Sequence, residues 1–419
     1  MKKSRYNYVC QASNGIILFN TFTSSILLLT KMEYDYLRNE DFSNMPNQLY
    51  NALSENGFLI NDDIDERAIV TFNRTKNIFN SECATFRILT TTACNARCFY
   101  CYEEGTDIKT MDVSIADNVI KFIKDKTKKV VKINIKWFGG EPLVNYKLIS
   151  YITVKLDEYA KIEGKNICYF MISNGMLFDD KMIKEAVTLW KLKSIQITLD
   201  GTKKVYESRK AYISKENTFE KIIDNINLLL SNGIRVNLRL NYDDKNLTDI
   251  KKLIKYLGKK FRGNQYLECY PYPLFHMSRN DIRFNIELLN LTKMLIEEKI
   301  SSGNNLFNFK SRNSGCFATA LNNFVIMPDG NLVKCTQCME EKDFIGSVLD
   351  RNNIVSKNYF KWCNYELDSE CINCLFLPLC QGGCIAESLK KSSNKCIIQV
   401  GIIDEILKEY VNMSDTIEV

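Results

Sequence analysis

Two arrays of cysteine carry the chemistry of this 419-residue chain, and they use ten of its sixteen cysteines. The first is Cys94-x3-Cys98-x2-Cys101. The second, toward the C-terminus, is Cys316, Cys335, Cys371, Cys374, Cys380, Cys384 and Cys396. Thiolates in this number point to iron-sulfur clusters, in which each iron takes a terminal ligand, normally cysteine. Three thiolates fill three corners of a 4Fe-4S cluster and leave one iron open to another molecule. A structural zinc site is the alternative. It requires four nitrogen or sulfur ligands in a closed tetrahedron, and His276 is the only histidine that could join the cysteines.

The elements that must position the triplet are visible in the pattern around it. Phe86-Arg87-Ile88-Leu89-Thr90-Thr91 reads as a short strand, and residues 92–101 follow as the loop beyond its carboxyl end, the functional end of a parallel sheet. Apolar stripes at helical spacing predict helices through Ala116–Ile123, Leu148–Leu156, Met182–Leu189, Ile222–Leu229 and Ile250–Leu257. Between them, β-rich runs fall at Ile133–Trp137 and near residues 167–172, 194–199, 234–240 and 265–270. Six strand-helix units in this stretch predict a partial barrel of parallel strands with right-handed crossovers.

With the triplet at a strand end and an aromatic residue, Tyr100, just before the third cysteine, the sequence resembles the radical SAM superfamily. The resemblance implies that the open iron is chelated by the amino and carboxylate groups of S-adenosylmethionine. Trp137-Phe138-Gly139-Gly140-Glu141-Pro142 ends the second strand, where paired glycines let backbone approach a ligand and Glu141 can accept from an ammonium group. This stretch is similar to the superfamily's second signature. Ser173-Asn174-Gly175, at the end of the third strand, resembles the family's ribose or carboxylate contacts. The expected cofactor-binding residues are therefore Tyr100, Gly139, Gly140, Glu141, Ser173 and Asn174. Leu199-Asp200-Gly201, with Arg209 close behind, matches a further stretch of the maturase branch and receives no firm role.

The second array, Cys316-x13-Gly330-x4-Cys335, then Cys371-x2-Cys374-x5-Cys380-x3-Cys384, then Cys396, is similar to the seven-cysteine SPASM arrangement. Met327–Asn331 reads as a tight turn between two β runs that brings Cys335 back toward Cys316. The resemblance implies two auxiliary 4Fe-4S clusters, one on Cys316, Cys335 and Cys384, the other on Cys371, Cys374, Cys380 and Cys396. The expected architecture is α/β: a partial (β/α)6 radical SAM barrel at 84–305, an N-terminal winged-helix-like module at 1–83, and a C-terminal iron-sulfur SPASM domain at 306–419.

SPASM-containing relatives are mainly maturases of ribosomally made peptides or of sulfatases. The sulfatase type carries an Asp directly after the second array cysteine and a further cysteine six residues before the first. Here those positions are Thr336 and Lys310, which counts against formylglycine formation. With three protein thiolates, the first auxiliary cluster would have an open iron able to bind a substrate cysteine and lower its pKa. Thioether cross-linking of a precursor peptide is the leading expectation. Cys338, Cys363 or Cys269 would instead close that cluster, leaving an electron-transfer role and carbon-carbon cross-linking or epimerisation. A non-enzymatic iron-sulfur or zinc protein is the reading from another class.

In residues 1–83, Gly15–Asn20 and Ser25–Leu29 predict a β-hairpin, and two helices follow, the second ending at Asn56-Gly57. This resembles the modules that bind a leader peptide as an added strand; a packing extension of the barrel is the alternative. The partners expected are a precursor peptide with a leader and an electron donor such as flavodoxin or ferredoxin. A charge of +6 does not call for nucleic acid. No signal-like h-region follows the charged N-terminus and Ile26–Leu29 is too short to span a bilayer, so a cytoplasmic protein without disulfides is expected. Cys10, Cys83 and Cys168 are read as packing residues. No catalytic acid or base is assigned, His276 included. Tyr270–Phe275, beyond the sixth strand, is a candidate peptide groove or ordinary loop packing.

Overall fold

The computed structural model describes residues 1–413 apart from 81, 102, 104, 106, 215–216, 275–280, 311–314, 351–355, 393–394 and 398. His276 and Phe275 lie outside the described residues.

The chain begins with strands β1 (Asn7–Ala12), β2 (Gly15–Asn20) and β3 (Ile26–Leu29), then helices α1 (Lys31–Arg38), α2 (Asn47–Glu55) and α3 (Glu66–Ile78). β1, β2 and β3 form an antiparallel sheet, so the expected hairpin carries a third strand at its N-terminal side. Thr30 and Glu33 form a capping box at the start of α1, and α2 stops at Asn56 ahead of Gly57, whose φ of 77° suits glycine. Leu18, Leu29, Leu37, Leu49, Leu53 and Phe58 bury a small core of their own. α3 was not expected. It starts at Asp65, whose side chain accepts from the Ala68 N–H.

The barrel alternates β4 (Cys83–Leu89), α4 (Val113–Lys126), β5 (Lys132–Phe138), α5 (Tyr146–Ile162), β6 (Asn166–Ser173), α6 (Asp180–Thr188), β7 (Leu192–Leu199), α7 (Lys203–Lys210), α8 (Thr218–Ser231), β8 (Arg235–Tyr242), α9 (Leu247–Phe261), β9 (Leu267–Pro273) and α10 (Ile282–Glu297). β4 to β9 pair in parallel in chain order. The predicted helical stripes pack against the sheet, fully buried in α4 at Ala116, Val119, Ile120 and Ile123, while in α6 Met182 is half-buried and Leu189 falls just past the helix end. Side chains of the strands alternate. Ile133, Ile135 and Trp137 of β5 are fully buried on the helix side, while Asn134, Lys136 and Phe138 are half-buried on the other. β9 runs to Pro273, so Tyr270 and Tyr272 belong to the sixth strand rather than to a loop after it.

Three further strands, β10 (Asn323–Ile326), β11 (Asn331–Val333) and β12 (Gly346–Ser347), extend the sheet. The full order is β9-β8-β7-β6-β5-β4-β10-β11-β12. β10 lies parallel to β4 and β11 returns antiparallel through the Asp329-Gly330 turn. The cysteine-bearing hairpin is thus built onto the edge of the strand that leads into the first triplet. The C-terminal helices include α11 (Lys357–Cys363), α12 (Ile385–Leu389) and α13 (Ile403–Met413), with shorter helical turns at Ser369–Asn373 and Leu377–Cys380. α13 closes back on the N-terminal sheet, where the Tyr8 hydroxyl donates to Asp404 at 2.8 Å. Among the described residues, no helix is long and apolar enough to cross a membrane.

Candidate functional site

The loop carrying Cys94, Cys98 and Cys101 leaves β4 and is held from three sides. From β5, the Gly140 N–H donates to the Thr91 carbonyl at 3.1 Å and the Glu141 N–H to the Ala93 carbonyl at 2.9 Å. A Cβ at Gly139 would collide with the Thr91 carbonyl oxygen, and one at Gly140 with those of Thr92 and Ala93. The glycines are therefore required for this close approach. From β6, the Asn174 side-chain amide donates to Asn95 Oδ1 at 2.7 Å and lies 3.9 Å from Cys94 Sγ. From the end of α7, the Lys210 carbonyl accepts from the Arg97 N–H at 2.9 Å and sits 3.9 Å from Cys98 Sγ.

Glu141 is fully buried. Its Oε1 accepts from Ser173 Oγ at 2.8 Å and from the Leu143 N–H at 3.1 Å, and its Oε2 accepts from the Asn174 N–H at 2.7 Å. The carboxylate has three protein donors and orders Ser173 and Asn174 from behind. Burial, only partly offset by these donors, pushes its carboxyl up to about 7.

Tyr100 is committed in a similar way. Its hydroxyl donates to Asp200 at 2.7 Å and accepts from Lys210 Nζ at 2.8 Å. Lys210 and Asp200 form an ion pair of 3.1 Å, nearly without solvent exposure. Burial opposes the Lys210 charge, but Asp200 and Tyr100 hold the ammonium well above its ordinary value. Beside this pair, Arg209 bridges to Asp243 at 2.7 Å and lies 4.8 Å over the Phe99 ring. Phe99 and Tyr100 are thereby gripped by two buried ion pairs. Lys210 and Asp243 were missed in the sequence, where the only pointer was the Asp200-Gly201 stretch with Arg209.

The three thiols of the triplet share one neighbourhood. Burial, with the charges of Glu141, Cys98 and Cys101 adding to it, pushes Cys94 up to about 11, so a thiolate there depends on a bound cation. The inner face of the sheet below is polar. Arg87 and Lys136 are neighbours across β4 and β5, and burial followed by the Arg87 charge lowers the Lys136 pKa. Arg239 stacks 3.7 Å over Tyr272, and Tyr270 donates to Gln196 at 3.0 Å.

The C-terminal cysteines separate into two groups. Cys316, Cys335, Cys338 and Cys384 surround a small core of Ala318, Trp362, Ile385 and Ala386. Cys371, Cys374, Cys380 and Cys396 form the second group, in which Cys380 senses the charges of Cys374 and Cys396 and Cys371 that of Cys380. Lys395 ties the last of these segments to Asp368, which caps the helix carrying Cys371, at 2.6 Å. Among the described residues, no three His, Cys, Asp or Glu converge tightly enough for a single metal ion. Cys10 and Cys269 are buried in the main core, and Cys83 and Cys168 are half-buried on strands, apart from both arrays.

A parallel barrel with an all-cysteine loop at the C-terminal end of its first strand, followed by two further cysteine groups, defines a class of iron-sulfur enzyme. Residues 88–257 match the Radical SAM superfamily, so the chain carries a radical SAM domain and is an enzyme of that kind. Such a domain brings a 4Fe-4S cluster and S-adenosylmethionine. Among its relatives is the radical SAM cyclopropyl synthase TigE of Paramaledivibacter caminithermalis, 23% identical over 94% of this chain and 88% of its own length. Another is the cysteine-type anaerobic sulfatase-maturating enzyme of Clostridium novyi, 25% identical over 70% of this chain and 84% of its own. In fold, the chain is similar to anSMEcpe with bound AdoMet (TM-score 0.60, 16% identity, covering 78% of this chain and 97% of that one). It is also similar to Streptococcus suis SuiB bound to its precursor peptide SuiA (TM-score 0.56, 13% identity, covering 94% and 98%).

Proposed function

We propose that this enzyme matures a ribosomally made precursor peptide, using S-adenosylmethionine and three 4Fe-4S clusters. The observation that carries the reading is the division of the array cysteines into three all-thiol groups, one in the barrel mouth, one beside the sheet extension and one in the segment packed against the N-terminal residues. Cys94, Cys98 and Cys101 would hold the cofactor-binding cluster; Cys316, Cys335 and Cys384 the first auxiliary cluster; Cys371, Cys374, Cys380 and Cys396 the second. When bound, the first cluster with its cofactor supplies a 5'-deoxyadenosyl radical. The chain's own residues fix where that reactivity is delivered. Gly139 and Gly140 let the backbone close on the cysteine loop, Glu141 holds Ser173 and Asn174 beside Cys94, and Tyr100 is clamped by Asp200 and Lys210.

A peptide substrate is supported by the relatives, two of which have been solved with peptides bound: SuiB with SuiA and anSMEcpe with Cp18Cys. Residues 1–83 would recognise the leader, by adding it as a strand to the β1-β2-β3 sheet. A flavodoxin or ferredoxin would supply electrons. The bond formed turns on the first auxiliary cluster. An open iron there favours a thioether from a substrate cysteine; a closed cluster favours epimerisation or carbon-carbon bond formation, the kind of bond that the name of TigE, a cyclopropyl synthase, implies. The test is anaerobic turnover of the reconstituted protein with S-adenosylmethionine, dithionite and a candidate precursor. Formation of 5'-deoxyadenosine together with a mass change in the peptide is expected. No 5'-deoxyadenosine from fully loaded protein would overturn the reading.

A further inference from the structure

The first auxiliary group lacks an upstream cysteine, because Lys310 stands six residues before Cys316. Three other cysteines could supply a fourth thiolate, and the structure separates them. Cys269 lies on β9, at the opposite end of the sheet order from the β10-β11 hairpin, fully buried in the main core. Cys363 ends α11 and turns to Tyr359, with which its thiol is hydrogen-bonded, and to the Lys334 ammonium. Lys334 Nζ is itself fixed to the Ala320 and Asn323 carbonyls at 2.6 and 2.7 Å. Cys338 alone joins Cys316, Cys335 and Cys384 around their shared core.

The backbone around Cys338 repeats a pattern found in both other cysteine groups. The Cys338 N–H donates to the Cys335 carbonyl at 3.1 Å, as Cys101 does to Cys98 at 2.9 Å and Cys374 to Cys371 at 3.2 Å. All three Cys-x2-Cys pairs thus form the same tight turn. In each group an N–H two residues beyond a cysteine also points at its sulfur at 3.4 Å: Gln337 at Cys335, Ala96 at Cys94, and Phe376 at Cys374. Such N–H groups favour the thiolate form that a metal needs. Cys335 and Cys338 also form an isolated antiparallel bridge, which sets the two residues side by side.

We propose that Cys338 is the fourth ligand of the first auxiliary cluster, which therefore has no open iron for a substrate thiol. The proposal rests on reading Cys316, Cys335 and Cys384 as ligands of that cluster. It assigns the cluster to electron transfer and directs the chemistry toward a bond that needs no sulfur held on iron.

The experiment compares full-length wild type, Cys338→Ala, Cys338→Ser, Cys363→Ala, Cys269→Ala and Cys384→Ala after anaerobic reconstitution. Iron and sulfide are counted, and electron paramagnetic resonance spectra are recorded after mild oxidation and after addition of 2-mercaptoethanol to the reduced protein. Cys384→Ala should lose about four of about twelve irons. Cys338→Ala, made in the Cys94/Cys98/Cys101 triple-alanine background so that the barrel cluster with its own open iron is absent, should show a 3Fe-4S signal that the triple variant lacks, and its reduced spectrum should shift with 2-mercaptoethanol while that of the triple variant does not respond. Cys363→Ala and Cys269→Ala should match wild type. Far-UV circular dichroism identifies any variant that misfolds, and Cys338→Ser, similar in size, repeats the spectroscopic comparison. If Cys384→Ala loses its four irons while both Cys338 variants match the triple variant, Cys338 is not the ligand. If Cys384→Ala keeps full iron, the underlying assignment of the array fails and the proposal falls with it.

Discussion

The two cysteine regions are held in place by opposite means. The loop of Cys94, Cys98 and Cys101 sits on a continuous parallel sheet and is braced by glycine contacts, a buried carboxylate and two buried ion pairs. The C-terminal cysteines sit between short segments: a three-residue strand, and helices of four to seven residues at Lys357–Cys363, Ser369–Asn373, Leu377–Cys380 and Ile385–Leu389. Isolated helices of that length are not stable in water. A preorganised cradle thus serves the site that must bind and release a cofactor. On the proposed ligand assignment, the auxiliary region draws much of its order from its metal, because ligation and folding are coupled.

The largest effect that would break or sharpen this contrast is on activity. Replacing Cys94, Cys98 and Cys101 together by alanine should abolish 5'-deoxyadenosine formation and lower iron from about twelve to about eight atoms per chain. The circular dichroism spectrum should change little. Next, anaerobic removal of iron with a chelator should speed amide exchange across 357–389 by more than about tenfold, while β4 to β9 keep their protection. Hydrogen exchange read by mass spectrometry checks this. Equal loss in both regions would mean that the barrel loop also depends on metal.

Local pattern made the barrel and both arrays legible. Hydrophobic periodicity marked α4, α5, α6, α8 and α9, and the cysteine spacings are properties of adjacent residues. Non-local pairing escaped it. α7 carries Lys203, Lys204, Glu207, Ser208, Arg209 and Lys210 and has almost no apolar stripe, yet Arg209 and Lys210 are buried because Asp243 and Asp200 wait at other strand ends. β10 is too short to announce that it pairs with β4. β1 was passed over because its six residues mix polar and apolar types without a long run. Glu141 was visible as a conspicuous carboxylate, but only the fold could reveal that two of its three donors come from the end of β6.

The braces of the first loop offer smaller, graded tests. Lys210→Met leaves the Asp200 carboxylate buried without its cation, which should cost about 3–5 kcal/mol in urea unfolding. Adding Asp200→Asn should recover part of that loss, because the uncompensated charge is gone. Recovery without restored 5'-deoxyadenosine formation would place the pair's importance in aiming Tyr100 rather than in stability alone.

Glu141 gives the smallest effect and the most specific one. Burial raises its carboxyl from an ordinary value of 4.5 to about 7 in the folded protein. Between these values the folded state holds a proton that the unfolded chain has released, so stability falls as pH rises through this window. Above about 7 the folded carboxyl is ionised too, and the dependence ends. Glu141→Gln keeps an acceptor for the Asn174 N–H but cannot ionise, and should flatten the slope of stability between pH 5 and 7. Glu103, which burial also pushes up to about 7, is present in both proteins and drops out of the difference. Urea midpoints measured across the window test the sign directly. A variant whose slope matches wild type would mean that Glu141 ionises at its ordinary value, and that the cradle behind Cys94 is open to water.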